Sequence, residues 1–286
     1  MAASEILLPV RDYDLAATLD SGQVFRWRQI EKSWHGVVGR HFVQLTQTDN
    51  GIRAQTTAPM ADWDFLRHFL QTEVDLAAVL KTFPDDEPMR AAVAHSRGLR
   101  LLRQDPWECL ASFILSSTKQ IVQIRQIVAL LCERFGERLA PQPMNSSSRH
   151  YSFPAPEKIA AASEAELRAC KMGFRAPYLL NAARVIAEGE LNLINLQKLS
   201  VADARAELIK LKGVGVKIAD CVLLFAYGFQ EAFPMDVWVI KALRELYFPR
   251  RRPKLAHLKN FTNTYFGPNA GYAQQYLFHY MRTQRG

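Results

Sequence analysis

LKGVGVKIADC, residues Leu211 to Cys221, joins two helical patterns through two glycines that flank a single apolar residue. Glycine reaches positive φ without a Cβ clash, so Gly213 and Gly215 predict a tight hairpin with positive φ values. The first helix ends near Leu211 and the second begins near Val216. In this layout the exposed amides of Gly213, Gly215 and Val216 and the start of the second helix make an anion site suited to a DNA phosphate. A bare G-x-G is often only a tight turn; the wider frame L-x-G-V-G-x-K-x-A favours DNA binding.

Lys217 falls in the first turn of an otherwise apolar helix, IADCVLLFAY. The positive end of the helix dipole and the apolar surroundings both work toward a free, nucleophilic amine, whereas an ordinary lysine there would snorkel or bind phosphate. Nineteen residues on, Asp236 follows Pro234 in AFPMDVWVIKAL and opens another helix. A plain N-cap explains it. The connection from Gly228 to Met235 is also short enough for this helix to fold back, bringing Asp236 toward Lys217. An ionised carboxylate beside an amine offers one nucleophile and one stabiliser of a cationic sugar.

The charge balance agrees with a polyanionic partner. The formal net charge is +8, and residues 1–100 hold 11 Lys and Arg against 13 Asp and Glu, leaving 25 against 15 for residues 101–286. The four cysteines, Cys109, Cys132, Cys170 and Cys221, show no C-x-x-C pair and no metal-ligand spacing, so no metal site is expected and reduced thiols are the default. The opening MAASEILLPVRDYDLA carries Glu5, Arg11, Asp12 and Asp14 and does not read as a signal peptide; no run is long enough to span a membrane. The expected location is the cytoplasm (nucleoid) or nucleus, not outside the cell.

From Glu5 to about Pro59, alternating stretches such as GQVFRWRQ and HFVQLTQT separated by turn residues predict an antiparallel sheet. From Ala61 the spacing turns helical: ADWDFLRHFLQT, DLAAVLKTF, MRAAVAHSRGLRLL, WECLASFILSS after Asp105-Pro106, and IVQIRQIVALLCERFG. PQPMNSSSRHYSFPAPE reads as a loop, after which EKIAAASEAELRAC, APYLLNAARVIAEG, VADARAELIKL, VKIADCVLLFAYG, MDVWVIKALRELY and YAQQYLFHYM read as helices. The basic run Arg250-Arg251-Arg252-Pro253-Lys254 reads as a solvated interhelical loop. The fold class is α+β: an N-terminal antiparallel sheet domain with trailing helices over 1–100, then a helical domain over 101–286 carrying the hairpin.

Taken together, SGQVFRW (21–27), LLRQDPWECLASFILSS (101–117), MGFRAPYL (172–179), LKGVGVKIADC, FPMDVWV (233–239) and GPNAGYAQQYLF (267–278) resemble, in order, the helix-hairpin-helix DNA glycosylases, and among them the 8-oxoguanine DNA glycosylases. The resemblance implies a bifunctional glycosylase and AP lyase acting on double-stranded DNA that contains an oxidised purine. It implies that Lys217 attacks the sugar's anomeric carbon and forms a Schiff base, with Asp236 stabilising the developing positive charge. It further implies that the Gly22 carbonyl accepts the N7–H that oxidation adds to guanine, that Gln274 bonds the base edge, and that Phe278 and Cys221 pack on the two faces of the base.

Phe174 and Arg175 match the pair that wedges into the base stack and reads the orphaned cytosine. Here the sequence departs from the family's eukaryotic pattern: Thr118 stands where that pattern has asparagine, Gln123 where it has arginine, and Trp238 where it has a phosphate-binding histidine. Lys119 or Gln120, in the same interhelical turn, is the alternative donor that would restore the contact. A relaxed preference for the opposing base is therefore expected. The resemblance implies no redox cofactor or catalytic metal, although hairpins of this kind hold a monovalent cation on backbone carbonyls, and it implies a monomer. Two rivals remain. An alkylated-base glycosylase would share Asp236 but not need Lys217, and a non-catalytic DNA-binding module would need neither Asp236 nor the Gly22 and Gln274 pocket.

Overall fold

The computed structural model describes residues 4–139 and 149–284. Five strands, β1 (Ser4–Pro9), β2 (Arg28–Ile30), β3 (Ser33–Val38), β4 (His41–Thr48) and β5 (Gly51–Thr56), form one antiparallel sheet in the order β1-β5-β4-β3-β2. Alternation sets the register: Leu45 faces Ala54 and Trp34, and Leu8 faces Ile52, so apolar side chains gather on one side. That face packs with Trp27, Leu15, Leu19, Leu66 and Leu70 into a core of its own.

The expected sheet is interrupted by a helix that alternation hid. Between β1 and β2, α1 (Leu15–Asp20) is capped by the Asp14 carboxylate, which accepts from the Ala17 N–H at 2.8 Å. After the sheet come α2 (Asp64–Leu70), α3 (Leu76–Leu80) and α4 (Glu87–His95). The helix expected over MRAAVAHSRGLRLL stops at His95, because Gly98 turns at φ +95° and lies so close to the Asp14 N–H that any Cβ would clash. Leu99–Gln104 instead form an irregular segment between the two cores. Leu99 and Leu101 face the helical core and Leu102 the sheet. The fully buried Gln23 stitches this seam, donating to the Arg100 carbonyl at 2.8 Å and accepting from the Leu102 N–H at 2.8 Å.

The helical body contains α5 (Pro106–Leu115), α6 (Ile121–Phe135), α7 (Pro156–Ala160), α8 (Glu164–Leu167), α9 (Ala176–Ala187), α10 (Leu193–Leu196), α11 (Val201–Ile209), α12 (Val216–Val222), α13 (Val237–Ala242), α14 (Leu255–Tyr265) and α15 (Ala270–Gln284). α5 is buried almost throughout and packs against α12, while α15 packs against α4 and α13. The single helix expected over EKIAAASEAELRAC is two, because Ser163 begins a new one with a capping box to Glu166. Residues 141–148 of the expected Pro- and Ser-rich loop lie outside the described residues; beyond them, the Ser152 N–H donates to the Glu137 carbonyl at 2.8 Å. The basic run 250–254 is the link between α13's continuation and α14.

Candidate active site

After α11, the Val214 N–H donates to the Leu211 carbonyl at 3.1 Å and closes the hairpin. Only one of its glycines has positive φ. Gly213 turns at φ +81°, with the Tyr178 ring 2.5 Å from where a Cβ would stand, whereas Gly215 is extended at φ −98° and ψ 178°. One left-handed residue suffices for the turn; the second glycine serves as the cap residue of α12 and keeps the surface bare, since nothing lies within 4 Å of a Cβ built there. Gly213, Gly215 and Val216 are exposed, and no side chain caps the first-turn amides of α12. The Val214 carbonyl accepts no hydrogen bond among the described residues.

Lys217, half-buried, extends over the Phe113 ring with Nζ 5.3 Å from its centroid and 3.4 Å from Ser116 Oγ. Phe113 is itself held by stacking on Phe225 and an edge contact with Phe25. Asp236 is the N-cap of α13 and accepts from the Val239 N–H at 2.8 Å. Burial pushes its carboxyl above the ordinary carboxylate range, opposed by the Val239 N–H and by the positive charge of Lys217. The same two groups act on Cys221, whose thiol burial pushes up to about 12, with Lys217 lowering and Asp236 raising it. Cys221 is thus a neutral thiol one helical turn from Lys217, and amine, carboxylate and thiol lie close enough to influence one another, which the short connection between α12 and α13 allows.

Gly22 lies on the loop after α1, at φ +79°, between Ile121 and Phe278: a Cβ there would be 2.9 Å from Ile121 Cδ1 and 3.4 Å from the Phe278 ring. Its neighbours' carbonyls are all engaged, Asp20 by Arg282, Ser21 by Gln275 Nε2 at 3.0 Å and Gln23 by Gln104 Nε2 at 2.7 Å. Among the described residues the Gly22 carbonyl alone of these four accepts nothing. One turn before Phe278 on α15, Gln274 is 3% exposed and its Oε1 has no hydrogen-bond partner. A buried, unpaired acceptor is uncommon and costs free energy until a donor arrives.

Of the residues expected at the opposing strand, Phe174, Arg175 and Thr118 come together, whereas Gln123, Lys119 and Trp238 make other contacts. Arg175 is buried, with Nη2 donating to the Ser117 carbonyl and to Thr118 Oγ1 and its guanidinium 4.2 Å from the Phe174 ring centroid. Thr118 sits at φ +55°, a strained conformation for a β-branched residue. Phe174 is 52% exposed. The Gln123 amide oxygen accepts from the Gln120 N–H at 3.2 Å, so this side chain caps α6; the Lys119 N–H donates to the Ser116 carbonyl. Trp238 is half-buried under Lys241, whose Nζ is 5.3 Å from the ring.

A cavity of about 350 Å³ has Lys217, Val216 and Met235 on its wall. A larger one of about 460 Å³ lies between sheet and helices, lined by Trp27, Arg40 and Phe69, away from these residues. Gly22, Gln274 and Phe278 line neither, and Ile121 and Phe278 close in on Gly22.

Comparison with known proteins bears on the whole chain. Residues 5–110 match the model for the 8-oxoguanine DNA glycosylase N-terminal domain, and residues 111–265 match that for HhH-GPD superfamily base excision DNA repair proteins. The chain belongs to the HhH-GPD superfamily. It is 31% identical to the N-glycosylase/DNA lyase OGG1 of Arabidopsis thaliana over 92% of this chain and 76% of that one, and 29% identical to a probable N-glycosylase/DNA lyase of Methanothermobacter thermautotrophicus over 96% and 95%. The Clostridium acetobutylicum 8-oxoguanine glycosylase/lyase, solved with dsDNA containing cytosine opposite 8-oxoG, superimposes with a TM-score of 0.90 at 29% identity, covering 98% of this chain and 99% of that one. No helix among the described residues of this HhH-GPD protein is long and apolar enough to cross a membrane. Sequence reasoning passed over Phe113, Ser116 and Ile121, which surround Lys217 and Gly22. Each is an ordinary helix residue whose role depends on contacts about a hundred positions away.

Proposed function

We propose that this HhH-GPD protein is a bifunctional 8-oxoguanine DNA glycosylase/AP lyase in which Lys217 is the nucleophile and Asp236 the charge stabiliser. The observation that carries the reading is the convergence of an amine in the first turn of α12, a half-buried carboxylate at the start of α13 and a neutral thiol one turn along α12, beside a bare hairpin. The relatives named above are glycosylase/lyases, and an amine nucleophile is what distinguishes that chemistry from release of the base by water. The Lys217 Nζ lone pair would bond to C1′ as the glycosidic C–N bond breaks and its electron pair leaves with the base. Opening of the sugar ring then gives the imine, and loss of a C2′ proton expels the 3′ phosphate. Asp236 remains ionised and offsets the cationic sugar.

The unpaired Gly22 carbonyl and Gln274 Oε1 support a pocket for the oxidised base, because a normal guanine lacks the N7–H and would leave the glycine carbonyl unsatisfied. Ile121 and the Phe278 ring must part to admit it. The hairpin carbonyls would hold a monovalent cation that adds positive charge beside a bound phosphate. The protein acts as a monomer in the compartment that holds DNA, nucleus or cytoplasm. Borohydride trapping on a duplex bearing 8-oxoguanine tests the assignment: wild type gives a covalent adduct, and Lys217→Gln gives none while binding duplex within a few-fold of wild type. Adduct formation by Lys217→Gln would place the nucleophile elsewhere.

A further inference from the structure

We propose that Asp20 is a positioning residue that fixes the lesion-reading Gly22 loop between two helices. Asp20 is the last residue of α1, where the helix dipole disfavours a negative charge. Two guanidiniums reverse that balance. Arg125 on α6 donates to Asp20 Oδ1 at 2.6 Å, and Arg282 on α15 donates to the Asp20 carbonyl and stands 3.9 Å from Oδ2. Both arginines have side chains less than a quarter exposed and a buried Nε with no partner. Each therefore depends on Asp20 for its compensating charge, and without it the two cations face one another across the loop.

The same two helices enclose Gly22 two residues on: Ile121, four residues before Arg125, and Phe278, four residues before Arg282, contact the site of its missing Cβ. One helical turn thus separates each brace from each wall of the pocket. The Arg282 guanidinium also lies 6.0 Å from the Phe278 ring centroid. With Ser21 and Gln23 already pinned, the Asp20 brace completes the set of contacts that leaves only the Gly22 carbonyl free to read the base.

This inference rests on the glycosylase reading, and the test separates the two. Excision of 8-oxoguanine requires the Gly22 loop in place; cleavage of a duplex carrying a preformed abasic site needs the amine but no base in the pocket. Wild-type excision and trapping establish the first reading. Asp20→Asn, which keeps the side-chain size and removes the charge, should then lower single-turnover excision at least tenfold while leaving abasic-site cleavage within twofold of wild type. Arg125→Gln, which loosens the brace from one side, should show the same split with a smaller loss. Excision within twofold of wild type in both variants overturns the proposal. Parallel loss of excision and abasic-site cleavage overturns it as well, because Asp20 would then support the fold at large.

Discussion

Replacing Gln274 by leucine should make the protein more stable and less able to excise its substrate. The side chain is 3% exposed and its Oε1 has no partner, so the folded, DNA-free protein bears the desolvation cost of a buried acceptor, about 1–3 kcal/mol. Leucine has nearly the same length, needs no hydrogen bond and adds apolar contacts on a helix whose neighbours Ala273 and Leu277 are fully buried. Thermal unfolding of Gln274→Leu should therefore move upward by about 2 °C for each kcal/mol recovered. The loss appears in chemistry: without the amide the base edge goes unread, at about 1–3 kcal/mol for one good base contact, or roughly fivefold to a hundredfold in single-turnover excision. Calorimetry and excision of 8-oxoguanine from one duplex measure both. A variant that melts below wild type, or excises as fast, would refute the idea that this acceptor is kept unpaired for the base.

Asp236→Asn should keep the cap of α13 and reduce excision by about two orders of magnitude. Because burial holds the Asp236 carboxyl above its usual range and the ionised form is the active one, wild-type excision should rise with pH through a midpoint above 3.8, and a rate–pH profile of the variant should lack that limb. Gly213→Ala should destabilise the fold, being forced to φ +81° against Tyr178, whereas Gly215→Ala should melt like wild type yet bind duplex DNA more weakly, as separate melting and binding titrations would show. Excision opposite cytosine should exceed that opposite adenine, guanine or thymine by less than a hundredfold, since Thr118 is turned to Arg175 and Gln123 caps α6, leaving one arginine for the opposing base. Four duplexes differing only in that base give the answer.

The hairpin, the sheet and the helical body were legible because each rests on short-range pattern: G-V-G framing, alternation with period two, apolar spacing near 3.6. The positions of Lys217 and Asp236 at helix starts were legible for the same reason. Three local features misled. α1 was concealed among alternating residues, Gly98 ended α4 through a close approach to Asp14, and Ser163 split an apparently continuous helix. Gly215 was assigned a positive φ that only Gly213 needs. The Asp20 brace and the Ile121 wall left no local trace, because their partners are about a hundred or more positions away.

The Gly22 loop also bears on how the protein reaches its working form. The bond from Gln275 to the Ser21 carbonyl joins residues 254 positions apart, and Arg282 meets Asp20 across 262. Closing so long a segment forfeits chain entropy before any contact rewards it, whereas the hairpin between α11 and α12 closes over a few residues. In refolding, helical content and burial of the sheet's tryptophans should return first and recognition of the oxidised base last, as a separate slow phase. A chain interrupted at that stage would hold DNA through its hairpin without reading it.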